Sequence, residues 1–301
     1  MDRQECATYR NGSHGWEKVV QTTMVAILTV VAQVVLIFPS TAEAQNLPMA
    51  DPESVGMSSE RLERLDAAMQ RYIDTDQVAG VVTLVARRGE VVHLKAQGHR
   101  YIEGGNLMST DDIFVIMSMT KPIVSTALMM LFEEGYFLLD DPISKYMPEF
   151  ADKEVVLEVD GGVQRVQADR PITFRHVLTH TAGVDPSRSL LSEDEQARPR
   201  RASTLEETLV GRASMPLAFH PGDEWNYGGS TDYVALLVER ISGQSLDRFL
   251  QERIFDPLGM VDTHYNVPAS KVGRVAAVYS PTGPDNTIGL RIAPATREQP
   301  T

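Results

Sequence analysis

One segment near the middle of the chain, residues 118–132, constrains the fold more than any other. It opens Ser-Met-Thr-Lys-Pro and is then apolar on almost every face. Proline is tolerated only in the first turn of a helix, so Pro122 places the helix start near Met117 or Ser118. A helix that is apolar all round belongs in a protein interior. The sequence therefore predicts a core helix here.

Ser118 and Lys121 lie one helical turn apart at the N-terminal end of this helix. Backbone N–H groups are unpaired at that end, and the helix dipole favours negative charge developing there. Lys121 leans back over the same turn, and burial would lower its pKa as a general base requires. The pair predicts an activated serine nucleophile. The alternative is coincidence, because Ser-x-x-Lys arises by chance about once in a chain of this length.

The first 44 residues have the form of a signal peptide. Lys18 precedes an apolar run over residues 24–38, and Ala-Glu-Ala at 42–44 has the small-x-small pattern of a cleavage site. The run is also about as long as a short membrane span, so an uncleaved membrane anchor is the alternative. We expect an exported protein, periplasmic or secreted, whose folded domain comprises residues 45–301.

Composition limits the chemistry of that domain. The chain has 28 Lys and Arg against 41 Asp and Glu, a net charge of −13, which argues against nucleic acid or anionic lipid as a partner. The single cysteine, Cys6, lies in the leader, which excludes disulfides and thiol catalysis from the domain. His176 and His180 have the spacing of a helical metal pair, but no Glu of a zinc motif accompanies them. We expect neither metal nor cofactor.

Hydrophobic patterning predicts strands early in the domain and helices in its middle. Ser58 or Ser59 caps a first helix, and Thr173 caps a short one that ends at 178. Residues 187–203 form a polar loop in which the acidic residues 193–195 are solvated. The remaining predicted elements are a hairpin over 81–94, a second hairpin over 155–167 on the surface, and helices over 205–213, 231–241 and 246–255.

Several motifs, in order along residues 57–279, resemble the serine β-lactamase and penicillin-binding-protein superfamily, and in particular its class C β-lactamase and class VIII carboxylesterase branch. The matching segments are Ser118-Met119-Thr120-Lys121-Pro122 for the nucleophile, Leu-Asp-Asp-Pro at 139–142 for the turn after its helix, Leu-Thr-His-Thr-Ala-Gly at 178–183 for a structural signature, Pro221-Gly222 with Trp225 and Tyr227 for the loop of the catalytic tyrosine, and Pro-Leu-Gly-Met at 257–260 for the turn beyond it.

The resemblance implies an α+β fold, with an antiparallel sheet flanked by helices plus an all-helical subdomain. By the same resemblance Ser118 attacks a carbonyl to form an acyl-enzyme, and Lys121 and Tyr227 share the proton transfer. A phenol of pKa ~10 acts as a base only if a neighbouring ammonium stabilises its phenolate. The implied partner is a small-molecule ester or β-lactam, with the ester slightly favoured. Without the resemblance, Tyr227 would be read as a loop aromatic that packs on Trp225.

Two departures from the family pattern qualify this picture. The family has Asn or Ser two residues after the tyrosine, where this chain has Gly229 followed by Ser230. No convincing Lys-Thr-Gly-like third motif follows Tyr227, since Lys-Val-Gly at 271–273 lacks the hydroxyl. We therefore expect a C-terminally truncated domain with an incomplete sheet, in which the hairpin over 81–94 exposes an edge and an apolar face. The rival function is an inactive remnant that binds peptidoglycan or a protein partner.

Overall fold

The structure is a computed structural model that describes residues 47–197, 204–281 and 288–292. The predicted signal peptide lies outside the described residues. Within these ranges no helix combines the length and hydrophobicity needed to cross a membrane. The helices are α1 (Ser59–Asp74), α2 (Thr120–Glu133), α3 (Phe174–Leu178), α4 (Glu193–Ala197), α5 (Leu205–Ala213), α6 (Ser230–Ser242) and α7 (Leu246–Leu250), the last continuing as a π-helical turn, Gln251–Phe255.

The strands form small antiparallel sheets. They are β1 (Gly80–Arg87), β2 (Glu90–Tyr101), β3 (Asn106–Leu107), β4 (Glu154–Val159), β5 (Gly162–Gln167), β6 (Val278–Pro281) and β7 (Ile288–Ile292). Strands β1, β2 and β3 make one sheet, while β4–β5 and β6–β7 are separate pairs. The mixture of antiparallel strands with a large helical part confirms the predicted α+β class. The β6–β7 pair was not anticipated, because its strands are short and rich in turn-forming neighbours.

Helix α1 covers one face of the β1–β2 pair. It begins as predicted, with the Ser58 hydroxyl accepting a hydrogen bond from the N–H of Arg61. Lys95 of β2 reaches Asp66 of α1 at 2.8 Å, which ties the helix to the sheet. The opposite face carries the cross-strand pair Leu84 and Leu94, which are 58% and 40% exposed. The predicted apolar face of this hairpin is therefore open in the structure.

The core helix predicted from the sequence is α2. Its α-helical geometry begins at Thr120 after a 3₁₀ turn over Met117–Met119, so the element starts where Pro122 indicates. Gly135, with φ of 82°, ends it in the left-handed conformation that glycine adopts most easily. The fully buried face of α2 packs against α6 and consists of Val124, Ala127, Leu128 and Leu131.

The second hairpin lies on the surface only in part, because β5 and the hairpin tip are mostly exposed, as predicted, but the base of β4 is buried. Val155 and Val156 of β4 are 0% and 1% exposed. The N–H of Val156 donates to the carbonyl of Leu217 at 2.8 Å, and the N–H of Leu217 donates to the carbonyl of Glu154 at 2.7 Å. This distant segment pairs with the base of β4, where Val155 and Val156 are buried. The prediction was wrong for this part of the hairpin because the partner lies about 60 residues further along the chain, beyond the reach of local patterns.

The acidic segment at 193–195 is not uniformly solvated either. It forms α4, and Glu195 is only 8% exposed. Its carboxylate accepts hydrogen bonds from Arg165 of β5 at 2.6 Å and from the N–H and hydroxyl of Ser192 at 2.9 and 3.0 Å. The Arg165 bond, followed by the Ser192 bonds, lowers the pKa of Glu195 to about 2. The prediction was wrong for Glu195 because an arginine from another element neutralises it.

Candidate active site

Ser118 lies at the centre of the 3₁₀ turn that leads into α2. The preceding residue, Met117, has φ of 47°, in the left-handed region that a side chain of this size rarely adopts. Such a conformation costs on the order of 1–3 kcal/mol and is concentrated at functional sites. Ser118 is exposed, and its neighbours Met117 and Met119 are 51% and 68% exposed. The strained turn thus presents the serine hydroxyl at the surface rather than to the core.

Lys121 lies one turn into α2 and faces Ser118. Its Nζ donates a hydrogen bond to the Ser118 Oγ at 3.2 Å. The side chain is half-buried, and the next residue on this helix face, Val124, is only 3% exposed. The ammonium is therefore anchored on a helix that the core holds rigidly. This places a positive charge beside a potential nucleophile, as the spacing predicted.

Tyr227 reaches the same place from the loop that precedes α6. The Lys121 Nζ lies 4.8 Å from the centroid of its ring. Hydrogen bonding of the phenol with Ser118, and then with Lys121, lowers the pKa of Tyr227 below its ordinary value. Both groups favour the phenolate, which is the form that accepts a proton. The structure therefore brings together the three residues that the sequence singled out.

Trp225 is adjacent to Tyr227 but does not bury it. The two ring centroids are 6.2 Å apart with an interplanar angle of 31°. Trp225 is 67% exposed and Tyr227 is 50% exposed. The contact that the alternative interpretation required is present, yet it leaves the phenol accessible beside Ser118. Packing against Trp225 is therefore compatible with a chemical role for Tyr227.

The segment 178–183 holds the loop of Tyr227 through main-chain hydrogen bonds. The N–H of Asn226 donates to the carbonyl of His180 at 2.9 Å, and the N–H of Gly222 donates to the carbonyl of Thr181 at 2.8 Å. The far end of the loop is fixed by Asp185, whose carboxylate accepts from the N–H of Gly229 at 2.6 Å. The loop is thus attached on both sides of the tyrosine.

The structure explains the glycine at position 229. A Cβ there would lie 2.4 Å from Arg212 Nη2 and 2.8 Å from Asp185 Oδ2. These two side chains form an ion pair at 2.8 Å, and Arg212 also pairs with Asp232 at 3.0 Å. A side chain at 229 would have to displace this network. Ser230, the next residue, is the first of α6 and is only 1% exposed, so its hydroxyl does not replace the missing side chain at 229.

His180 also lies at the site, although no role at the site was predicted for it from the sequence. It has φ of 59°, and its ring centroid lies 4.8 Å from that of Tyr227. Burial, followed by the charge of Lys121, lowers the pKa of His180 and favours the neutral imidazole. The sequence carried no signal for this contact beyond the motif itself, because it joins two loops 47 positions apart in the numbering.

His176 and His180 take part in different contacts. The Nδ1 of His176 accepts a hydrogen bond from the N–H of Thr173 at 3.2 Å, and so belongs to the cap of α3. His180 instead faces the tyrosine loop. Among the residues that the structure describes, no cluster of three or more His, Cys, Asp or Glu side chains is arranged to hold a metal ion. Lys271, considered for a third motif, is paired with Asp262 at 3.0 Å.

A cleft of about 280 Å³ opens beside Ser118 and Lys121, between α2 and α6. Its lining combines apolar and polar side chains, as is typical of small-molecule sites. The apolar lining includes the buried Val124, Ala235 and Leu246, and the polar lining includes Ser118, Lys121, Thr231 and Asp232. The cleft could therefore take the apolar part of a small molecule whose reactive group lies at Ser118.

Comparison with known proteins gives a consistent assignment. The family model described as Beta-lactamase matches residues 65–298. Esterase EstB of Burkholderia gladioli is 33% identical over 222 residues, which are 70% of this chain and 54% of that protein. The lovastatin esterase of Penicillium rubens is 34% identical over 215 residues, covering 67% of this chain and 52% of that protein.

One solved structure is similar to this chain over most of its length. EstCE1, described as a hydrolase with promiscuous acyltransferase activity, superposes with a TM-score of 0.65 at 28% identity, covering 76% of this chain and 58% of EstCE1. The chain spans about half the length of the curated relatives that it matches. Because the family model covers most of its residues, this chain belongs to the beta-lactamase family.

Proposed function

We propose that the chain is a serine hydrolase that cleaves small carboxylic esters through an acyl-enzyme at Ser118. The observation that carries the proposal is the 3.2 Å hydrogen bond between Lys121 Nζ and Ser118 Oγ, with the Tyr227 ring 4.8 Å from the same ammonium. A hydroxyl is a weak nucleophile until a neighbouring base removes its proton. Here an exposed hydroxyl has both a cation and a phenol of lowered pKa beside it.

The reaction proceeds in two halves. The Ser118 oxygen attacks the ester carbonyl while its proton passes to Tyr227, whose phenolate Lys121 stabilises. The C–O bond to the alcohol then breaks, and the alcohol leaves with the proton held by Tyr227. In the second half, water attacks the acyl-serine, Tyr227 accepts a proton from the water, and the carboxylic acid departs as Ser118 regains its hydrogen. The N-terminal end of α2 favours the negative charge on the oxyanion.

Esters are favoured over β-lactams by the relatives. EstB and the lovastatin protein are both named as esterases, and EstCE1 is described as a hydrolase. The apolar side chains that line the cleft suit the hydrocarbon part of an ester. Both ester and lactam hydrolysis would use the same three residues, so substrate preference depends on the walls of the cleft.

Turnover of p-nitrophenyl butyrate by the full chain tests the proposal, with a penicillin as the competing substrate. We expect hydrolysis of the ester that is lost in Ser118→Ala. Ser125→Ala is the matched control, because Ser125 lies one turn beyond Lys121 on the same helix and does not line the cleft, so its loss should leave the rate unchanged. A folded chain that hydrolyses neither substrate, or a Ser118→Ala variant as active as the parent, would reject the proposal in favour of a binding remnant.

A second activity, transfer of the acyl group to an alcohol, is favoured by one observation. Ser118 and Tyr227 are both exposed, so a second alcohol can approach the acyl-serine as readily as water. EstCE1 is described as having promiscuous acyltransferase activity. Adding butanol to the ester assay should yield butyl butyrate at the expense of butyric acid, measured by gas chromatography. Formation of the acid alone would limit the chain to hydrolysis.

A further inference from the structure

We propose that His180 is a positioning residue for Tyr227, and that its imidazole ring holds the phenol where it reaches Ser118 and Lys121. The inference rests on the proposed function and adds a residue to the three that carry it. His180 touches the phenol ring rather than the reacting atoms, so its role is to fix orientation.

The ring contacts around Tyr227 support this role. The imidazole and phenol centroids are 4.8 Å apart with an interplanar angle of 43°, within the range of favourable aromatic pairs. His180 also contacts Trp225, with centroids 6.3 Å apart in an edge-to-face arrangement. Because Tyr227 is half exposed, no surrounding core fixes its side chain. Its orientation therefore depends on these ring contacts, on the ring of Trp225, and on Ser118 and Lys121.

The backbone of His180 is itself constrained. Its φ of 59° lies in the left-handed region, where histidine and asparagine occur more often than most other side chains. Its carbonyl accepts from the N–H of Asn226, the residue immediately before Tyr227. One residue thus binds the tyrosine loop through its main chain and contacts the tyrosine ring through its side chain. Substitution removes the second contact and leaves the first.

Charge explains why an imidazole suits this position. The Nδ1 of His180 is buried and has no hydrogen-bond partner within the described part of the chain. A proton on that nitrogen would be unfavourable there, and burial together with the nearby Lys121 lowers the pKa of the ring. His180 therefore supports the phenol without placing a second cation beside Lys121.

Two substitutions separate the ring from the backbone. His180→Asn keeps a residue that tolerates the left-handed conformation but removes the ring. His180→Phe keeps an aromatic ring and removes the nitrogens. His220→Asn is the matched control, because His220 lies outside the ring contacts of Tyr227 and its Nδ1 accepts instead from the N–H of Asp169. Thermal unfolding of each variant checks that it is folded.

The first readout is the second-order rate at which a fluorophosphonate labels Ser118 in the full chain. We expect His180→Asn to label at least about tenfold more slowly than the parent, which is the effect of misplacing a general base. His180→Phe should retain more of the rate than His180→Asn, and His220→Asn should label at the parental rate. A folded His180→Asn variant that labels as fast as the parent would overturn the proposal.

The second readout does not need activity. Carbon-13 NMR of ring-labelled tyrosine, assigned with Tyr227→Phe, reports the pKa of Tyr227 directly. We expect that pKa to rise toward the ordinary tyrosine value in His180→Asn, because the phenol is no longer held beside Lys121 and Ser118. An unchanged titration in a folded variant would count against the positioning role. If the parent is not labelled but the pKa still rises in His180→Asn, the hydrolase proposal fails while the positioning role stands.

Discussion

Leu128 on α2 and Leu84 on β1 are leucines in two regions that differ in packing, one buried in a core and the other open to solvent. Leu128 is 0% exposed, within a core of packed helices that includes α6, whereas Leu84 is 58% exposed on the open face of the β1–β2 pair. The three residues singled out from the sequence are all attached to the helical region. Ser118 and Lys121 lie at the start of α2, and Tyr227 lies on the loop that leads into α6.

This difference indicates that the candidate site depends on the helical region. The segment 178–183 bonds to the tyrosine loop and α2 carries the lysine, and no hydrogen bond of these elements within the described residues involves Leu84 or Leu94 on the open face of β1–β2. A second, small cluster of buried residues lies between α1 and this sheet and consists of Val55, Leu62 and Val92. Of these three residues only Val92 belongs to the sheet. Changes in the helical region should therefore alter both activity and stability, whereas changes on the open face should alter neither.

The largest effect is expected at Lys121. Lys121→Met removes the ammonium beside Ser118 while keeping an unbranched side chain, and it should slow fluorophosphonate labelling of Ser118 by about 10²–10⁴-fold, the range for lost acid–base assistance. Lys145→Met is the control, because Lys145 is an exposed lysine weakly paired with Asp141 at 4.0 Å. A Lys121→Met variant that labels within about threefold of the parent would remove the lysine from the mechanism.

The comparison between the two leucines can be tested directly. Leu128→Ala should lower the free energy of unfolding by about 2–5 kcal/mol, because it leaves a cavity in a packed core. Leu84→Ala should change it by less than about 0.5 kcal/mol, as for other exposed positions. Urea unfolding followed by circular dichroism gives both values. Equal losses from the two variants would show that the β1 face is covered in solution.

A smaller effect is expected at the far end of the tyrosine loop. Asp185→Asn weakens both the ion pair with Arg212 and the hydrogen bond from the N–H of Gly229. We expect a loss of about 1–3 kcal/mol in the free energy of unfolding, the usual range for a hydrogen bond to a charged group. Asp232→Asn is the comparison, because Asp232 pairs with the same arginine but is half exposed. We expect a smaller loss from Asp232→Asn than from Asp185→Asn. A larger loss from Asp232→Asn would contradict the role of Asp185 in fixing the loop.

The last effect is a pH dependence at Glu195. Its pKa is lowered to about 2 from the ordinary 4.5, so the carboxylate stabilises the folded state above pH ~4.5 and this contribution is lost as the pH falls towards ~2. The difference in unfolding free energy between the parent and Glu195→Gln should therefore shrink as the pH falls through this window. Urea unfolding across that range measures it. A constant difference would mean that Arg165 does not hold the carboxylate in its charged form.

Local patterns predicted the parts of the structure that depend on nearby residues. Pro122 and the spacing of Ser118 and Lys121 were enough to predict the start of α2 and the facing of the two side chains. Ser58 and Thr173 cap helices as predicted because a cap acts within one turn. Tyr227 could be proposed only by resemblance, since nothing in its own loop distinguishes it from a packing aromatic.

The misplaced predictions share a physical cause. Val156 is buried by the segment at Leu217, and Glu195 is neutralised by Arg165, each through a contact between residues distant in sequence. The contact of His180 with Tyr227 belongs to the same class. Periodicity and residue type describe one element at a time, so they cannot show which distant element will cover it. Contacts of this kind decide both the core and the geometry of the site.

The most direct test of the account is the intact mass of the full chain after exposure to a fluorophosphonate. We expect one adduct per chain, mapped to Ser118 by peptide analysis and absent from Ser118→Ala. Tyr227→Phe should label more slowly, because the phenolate proposed to accept the serine proton cannot form. A folded chain that gains no mass, or an adduct that persists in Ser118→Ala, would contradict the claim that Ser118 is an activated nucleophile.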